Sequence, residues 1–406
     1  MTFSKIEYPL NELADFIDYR GKTPIKTTSG IPLITAKIVK GGFIETPNEF
    51  ISPADYESWM VRGIPMIGDV VLTTEAPLGE VAQLKSSNVA LAQRIITLRS
   101  KSNLLDNCYL KYFLQSQEGQ RRLREKETGT TVTGIKQSEL RKLLIPLPKY
   151  ETQTRIAEIL SSLDDKIELN RQMNQTLEEM AQALYKHYFV DGIDPENLPE
   201  GWQEGEIQDC FNITIGRTPP RMEKEWFSTD QDDIKWISIK DIGNAGAHIF
   251  ETAENLTQES VTRFNIPMVE PNTVIVSFKL TVGRVCITTE KMLTNEAIAH
   301  LNPLNEMSTP KEYVYLYMKN FNYDVLGSTS SIATAINSKM IKAMPFLIPA
   351  RDIMDTFVAK TEAIFELIKS NHSENINLSQ IRDYLLPKLI SGEILPKDLK
   401  QIEAVL

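Results

Sequence analysis

Few residues of this 406-residue chain have the types and spacing that chemistry requires. Gly21-Lys22-Thr23 looks like the end of a GxxxxGK[ST] loop, whose backbone amides and lysine cradle nucleotide phosphates. That loop needs glycine at position 16, where Phe16 stands, and its later echo in the chain carries Arg217 in place of the lysine. A nucleotide loop is therefore not expected. Asp233-Ile234-Lys235 has the form of a nuclease D-x-K tail, but nothing matches it in the other half, so it reads as a solvated charge run. The Asn/Asp-Pro-Pro-aromatic tetrapeptide of adenine methyltransferases is absent. The histidines (His187, His248, His300, His372) and cysteines (Cys108, Cys210, Cys286) are scattered, without CxxC, HxxxH or HExxH. No metal site is expected, and each histidine reads as a surface or packing residue. The odd, sparse cysteine count argues against disulfides and suits a reducing cytoplasm.

With no catalytic set in view, the elements that would position a binding surface carry the argument. Hydrophobic residues make up 42% and charged residues 24%, an ordinary globular composition. No apolar run is long enough to span a membrane, and the first residues lack a secretory pattern. The net charge of -10 speaks against nucleic acid, yet it is unevenly spread. Residues 1–150 hold 20 Lys and Arg against 16 Asp and Glu, whereas 151–197 hold 4 against 10, 198–350 hold 13 against 19, and 351–406 hold 7 against 9.

The chain repeats itself after about 200 residues. Gly21-Lys22-Thr23-Pro24 recurs as Gly216-Arg217-Thr218-Pro219, and Ile34-Thr35-Ala36-Lys37 as Ile237-Ser238-Ile239-Lys240. Phe43-Ile44-Glu45-Thr46 recurs as Ile249-Phe250-Glu251-Thr252. Gly68 to Thr74, followed by Gly79-Glu80-Val81, recurs as Pro271 to Ser277, followed by Gly283-Arg284-Val285. A Thr/Ser-rich loop at Thr128 to Ile135 recurs at Thr329 to Ile336. The shared order at an offset of 195 to 206 indicates duplication.

Each half ends in a run free of Pro and Gly, from Lys149 to Asp191 and, after Pro349, from Ala350 to Leu386, with Pro387 and Gly392 closing the second. Apolar residues three and four apart predict long helices. The first seam is Ile156, Leu160, Leu163, Ile167, Asn170, Asn174, Leu177, Ala181, Leu184, Tyr188. Adding 201 gives Phe357, Thr361, Ile364, Ile368, Asn371, Asn375, Leu378, Arg382, Leu385, Leu389. Both place two asparagines mid-seam, and buried asparagine fixes register because it must find a polar partner. An antiparallel coiled coil sets Asn170 opposite Asn375 and Asn174 opposite Asn371. It also sets Leu163 against Arg382, whose head group must then snorkel to water. The alternative is that each helix packs on its own globule with the asparagines in water.

Between the helices, short β-branched runs (Val70–Thr73, Val274–Ser277) alternate with helical ones (Asn107 to Arg124, Lys311 to Tyr323). The fold class is α/β, with two tandem globules of a twisted mixed sheet plus helices. The boundaries are a recognition domain at 1–148, a spacer helix at 149–191, a second recognition domain at 192–350, a second spacer helix at 351–391 and a tail at 392–406.

The pattern resembles the specificity subunits of type I restriction-modification systems over nearly the whole chain. The resemblance rests on Pro146-Leu147-Pro148 leading into Gln153-Thr154-Arg155-Ile156-Ala157-Glu158-Ile159-Leu160, then Ser161 to Asn170. It rests also on Leu177 to Leu184, on Leu385-Leu386-Pro387-Lys388-Leu389-Ile390-Ser391-Gly392-Glu393, and on the repeated G-[KR]-T-P. The second helix departs at its start, where Arg351 to Asp355 lacks the usual Glu-Gln pair. The resemblance implies a non-catalytic cytoplasmic subunit that binds duplex DNA at an asymmetric, bipartite site, with one half read by each globule. It implies two modification subunits docked on this chain, with restriction subunits joining them. S-adenosylmethionine, ATP and magnesium belong to those partners, and no cofactor to this chain.

Under that reading, DNA contact is expected from loops near the repeated motifs. In the first globule these hold Lys22, Thr23, Lys37, Lys40, Thr74, Glu75, Arg94, Thr130, Thr131 and Lys136. In the second they hold Arg217, Thr218, Lys240, Ser277, Lys279, Arg284, Asn295, Ser331 and Asn337. Cations suit phosphate and guanine, asparagine suits adenine, and hydroxyls suit either phosphate or base. Glu75 against Phe278 and Pro77 against Leu280 are the pairs expected to separate the base preferences of the halves. A helix of about 40 residues is roughly 60 Å long and acts as a ruler between half-sites. Apolar residues off the seam (Ile159, Leu169, Met173, Met180, Tyr185) suit a partner surface or the adjacent globules. The competing classes are a coiled-coil scaffold that binds no DNA and an enzyme built on a duplication.

Overall fold

Strand Val70–Thr74 is buried at every position, because both faces of its sheet are covered. Val70 and Leu72 point to one core with Ile96, Leu98, Tyr109 and Phe113. Val71 points to another with Ile17, Leu33, Ile34 and Ile51, as the two-residue period of a strand requires. The chain, described here from a computed structural model, is defined over residues 6–19, 23–101, 103–128, 133–304, 309–326 and 336–401. It divides into two compact units, 1–167 with 377–406, and 168–376. The division passes through both long helices, so each unit holds one globule and half of each helix.

In the first unit the main sheet orders Ala14–Asp18, Ile95–Ser100, Val70–Thr74 and Leu78–Gln83, all antiparallel. A second sheet of Phe50–Ile51, Ile31–Ile34 and Ala90–Leu91 is mixed, its last pair being parallel. The helical run from Asn107 is two helices, Asn107–Gln115 and Gln117–Arg124. Ser116 breaks it by donating to the Phe113 carbonyl at 2.6 Å and accepting from the Gly119 amide at 3.1 Å.

In the second unit the main sheet orders Phe211–Ile215, Ile298–Pro303, Val274–Ser277, Val285–Thr288 and His248–Ile249, with only the last pair parallel. A second mixed sheet joins Phe227–Ser228, Glu254–Leu256, Ile234–Ile237 and Leu293–Thr294. Helix Lys311–Asn320 stops three residues short of the expected Tyr323. Each globule therefore carries two main sheets rather than one.

The long helices are Tyr150–Phe189 and Arg351–Ser391. The second runs through Pro387, which forfeits one backbone bond. Burial of Leu389 and Ile390 in the first unit's core offsets that loss. Gly392 ends the helix at φ +84°, its amide donating to the Lys388 carbonyl at 3.1 Å.

Within the second unit the helix halves meet at the asparagines. Asn170 Nδ2 donates to Asn375 Oδ1 at 2.9 Å and to Glu374 Oε2 at 2.7 Å. Asn371 Nδ2 donates to Asn174 Oδ1 at 2.9 Å, and Asn174 Nδ2 to the Ile368 carbonyl at 3.1 Å. Tyr188 and Phe357 meet edge to face. Within the first unit Ile156, Leu160 and Leu389 share one buried cluster. Arg382 does not snorkel to water there: Asp164, one residue along from Leu163, captures its guanidinium at 3.0 Å.

Candidate nucleic-acid interface

At one end of the second unit's main sheet, strand ends bring the repeat motifs together. Ile215 leads into Gly216-Arg217-Thr218, and Ser277 leads into Phe278-Lys279. The Arg217 amide donates to the Thr294 carbonyl at 2.9 Å, and the Phe278 amide to the Ala297 carbonyl at 2.9 Å. A Cβ on Gly216 would collide with Thr294 and the Asn295 carbonyl, so this close approach needs glycine. Asn295 Oδ1 accepts the Ala297 amide at 3.0 Å, and Thr218 Oγ1 hydrogen-bonds to Glu296. Arg284 Nη1 donates to the Ile239 carbonyl at 2.7 Å, which ties the helix Ile239–Asn244 and its exposed Lys240 to the same end. Arg217, Lys240, Lys279 and Arg284 are thus carried by segments that meet at this end of an otherwise acidic globule, together with Glu296.

The first unit repeats the arrangement with different charges. Arg94 pairs with Glu75 at 3.1 Å, and the Thr74 amide donates to the Arg94 carbonyl at 2.9 Å. Gly134 bridges to Glu75, so the segment preceding the exposed Lys136 closes on this end. The Ala92 amide donates to the Ile34 carbonyl at 2.9 Å, bringing the Ala36–Ile38 turn and exposed Lys37 alongside. Lys40 pairs with Glu45 at 3.0 Å within a short hairpin, which Glu80 holds by accepting the Gly41 amide at 2.9 Å. Thr23 is exposed. Lys22, Thr130, Thr131 and Ser331 lie outside the described residues.

Two expected contact residues, Ser277 and Thr74, serve the fold instead, and a third, the exposed Asn337, doubles as a helix cap. Ser277 is fully buried, its Oγ donating to the Thr281 carbonyl at 2.5 Å and accepting the Arg284 amide at 3.0 Å. Thr74 is 2% exposed on the buried strand, so its hydroxyl is not offered to a ligand. Asn337 caps the helix Ser338–Lys342, accepting two amides on Oδ1. Strand pairing also moves the repeat by one residue. Thr73 Oγ1 accepts the Glu80 amide at 2.9 Å just as Ser277 Oγ accepts that of Arg284. The equivalent pairs are therefore Glu75 with Lys279, Ala76 with Leu280 and Glu80 with Arg284, not Glu75 with Phe278 or Pro77 with Leu280. The halves carry opposite charge at two matched positions. Leu280 is named from the sequence only as the partner of Pro77, and Glu80, though matched there with Arg284, is not among the expected contact residues; the hydrogen-bonding register brings both to this end.

Of the off-seam apolar residues, Tyr185 is core, packed against Phe189 and Tyr313. Leu169, Met173 and Met180 are exposed. Ile159 lines a groove in the first unit with Leu163, Ile381, Tyr384, Leu385 and Leu399.

Titratable groups away from the sheet ends are built into the core. His300 bridges Thr214 and Thr294, and burial pulls its pKa down to about 4. His248 is buried against Phe365 and falls to about 3, from burial first and then the positive groups Lys369, Lys311 and His372. Burial pushes the Cys108 thiol up to about 11. Among the described residues no group of three His, Cys, Asp or Glu is placed to hold a metal, and no helix is long and apolar enough to cross a membrane.

Comparison with known proteins gives one family. The family model "Type I restriction modification DNA specificity domain" matches residues 6–179 and again 199–378. The chain is 28% identical to the HindI type I restriction enzyme specificity subunit of Haemophilus influenzae, over 76% of this chain and 82% of that one. It is 26% identical to the MjaIX type I restriction enzyme specificity subunit of Methanocaldococcus jannaschii, over 82% of this chain and 79% of that one. In fold it is similar to the crystal structure of a type I restriction-modification S subunit from M. genitalium, with a TM-score of 0.57 and 15% identity, covering 95% of this chain and 96% of that one.

Proposed function

Because the chain belongs to the type I restriction-modification DNA specificity family, we propose that it reads a two-part duplex sequence, one half through each globule. The observation that carries this reading is the duplicated sheet end. One backbone arrangement is built twice, and its side chains differ in charge at matched positions, half-buried Glu75 against exposed Lys279 and half-buried Glu80 against half-buried Arg284. A duplicated scaffold with diverged tips suits an asymmetric target, because phosphate contacts position a protein and base contacts specify sequence. The chain itself performs no chemistry in this reading. It works in the cytoplasm with two modification subunits, which bring S-adenosylmethionine, and with restriction subunits, which use ATP and magnesium. The apolar groove around Ile159 and Tyr384 and the exposed Leu169, Met173 and Met180 are the surfaces offered to the modification subunits.

A map of methylated adenine in cells holding the modification subunit, with and without this chain, tests the reading. One two-part motif with a fixed gap, lost without the chain, is expected. Exchanging one globule should alter one half of that motif. An identical motif in both cells would transfer the reading to another protein.

A further inference from the structure

Leu280 is 95% exposed at the tip of the turn that joins Val274–Ser277 to Val285–Thr288, and its backbone is left-handed at φ +61°. The matched residue of the first globule, Ala76, is also left-handed, at φ +51°. Glycine takes this conformation freely, whereas other L-residues are strained in it. Both halves nevertheless place a side chain there. The turn is held without that side chain: Ser277 Oγ donates to the Thr281 carbonyl at 2.5 Å, and the Gly283 amide donates to the Ser277 carbonyl at 2.9 Å. Burial within the globule does not account for Leu280, because almost none of it is buried. Strain retained by a side chain that packs on almost nothing among the described residues points to a contact made outside the chain. Its neighbour Lys279 is exposed, and the turn stands at the sheet end that carries Arg217 and Arg284.

We infer that Leu280 is the side chain with which the second globule makes apolar contact with a base of its half-site, while Lys279 meets an adjoining phosphate. The inference rests on the DNA-reading function proposed above and names the residue that specifies part of the second half. An apolar tip recognises the methyl group of thymine in the major groove or wedges against a base step. A flanking lysine anchors it without reading sequence.

The test compares methylated-adenine maps and DNA affinity for the chain assembled with its modification subunits, using a duplex that carries the mapped motif. Leu280→Gly should leave thermal unfolding unchanged or raised. It should weaken binding about tenfold and relax base choice in one half of the motif only. Leu280→Asn, which keeps the left-handed turn, should shift the base preferred at the same position. Lys279→Ala should weaken binding to all sequences alike and lower the salt slope by about one. An unchanged motif and affinity in Leu280→Gly would overturn the inference, as would a loss of subunit assembly before DNA is added, which would assign the tip to a protein contact. A wild-type map with no motif dependent on this chain would overturn the DNA reading itself, and the inference with it.

Discussion

Arg382 and Asp164, on opposite helices, form a buried ion pair at 3.0 Å, and the same carboxylate accepts Lys111 Nζ at 2.6 Å and the Tyr112 hydroxyl at 2.7 Å. Burial alone would raise this carboxyl. The Lys111 charge, with hydrogen bonds from Lys111, Tyr112 and Arg382, holds it below the ordinary value. The second unit puts uncharged side chains at the matched positions, with Lys319 donating to the Tyr315 hydroxyl at 3.0 Å beside them. Tyr109 and Tyr313 both donate to the strand that precedes the long helix, at Pro146 and Leu347, and this fixes the alignment of their helices. Lys111 then corresponds to Tyr315, Asp164 to Phe365 and Arg382 to Ala181. Tyr315 and Phe365 meet edge to face at 5.5 Å, and Ala181 is fully buried. If two copies of the second helix paired with each other, Arg382 would face Phe365 in place of Asp164 and keep only the exposed Asp383 of its own helix. The ion pair therefore favours the first helix as partner for the second.

Removing one member of this cluster should cost far more than replacing all of it. Asp164→Ala leaves Lys111 buried without a counter-charge and Arg382 with only the exposed Asp383, an expected loss of about 3–5 kcal/mol. Copying the second unit through Lys111→Tyr, Asp164→Phe and Arg382→Ala together should cost much less than the sum of the single changes. Denaturant unfolding followed by hydrogen exchange in residues 107–124 checks this, and additive losses would show that the cluster is not one unit.

The two units should respond to acid in sequence. His248 and His300 are held neutral in the fold, at about 3 and about 4, whereas an unfolded histidine protonates near about 6.5. Below that value the unfolded chain takes up protons that the folded one refuses. The stability of the second unit is thus complete above about pH 6.5 and drains away as pH falls toward those folded values. Asp164 acts at the acid end: its contribution is present above the unfolded carboxylate value and is lost as pH falls through its lowered folded one. Hydrogen exchange at stepped pH should show 211–303 loosening before 70–124. His248→Phe, which removes a buried ring whose nitrogens find no partner, should flatten part of the slope.

The long helices and their asparagine register were legible because seam and asparagines recur within one chain at one offset. The turn alignment was not, because Glu75 and Lys279 share no residue type and only strand hydrogen bonds fix the match. The second sheet of each globule escaped notice because strands such as Phe50–Ile51 and Leu293–Thr294 are two residues long and leave no alternation to read. Lys111 lies in the otherwise apolar run Tyr109–Leu114, and its partner Asp164 comes from a helix 53 residues on. Ser277 and Thr74 looked like loop hydroxyls, and only burial shows that they close strands.

The asparagines should be coupled across the helices. Asn174→Leu removes the acceptor of Asn371 Nδ2 and should cost about 1–3 kcal/mol. Asn174→Leu with Asn371→Leu should recover much of that loss, since no amide is then left without its partner. A double-mutant cycle on unfolding should give a coupling of about 0.5–3 kcal/mol, and a coupling near zero would mean that the pair does not set register.

The register also dictates how the spacer must be shortened. Removing Gln175 to Glu178 alone would take out Leu177, slide Ala181 and Tyr188 past their partners on the second helix, and disturb the second unit. The turn facing it is Leu367 to Ser370, because Asn174 meets Asn371 and Asn170 meets Asn375. Deleting both stretches removes about 6 Å from each helix, a little more than one turn, and keeps the asparagine pairs in step. The gap in the methylated motif should then shrink by about one or two base pairs, with both half-sites unchanged. Deleting Gln175 to Glu178 by itself should lower stability without giving a new defined gap. An unaltered gap in the matched deletant, with methylation intact, would show that helix length is not what measures the spacing.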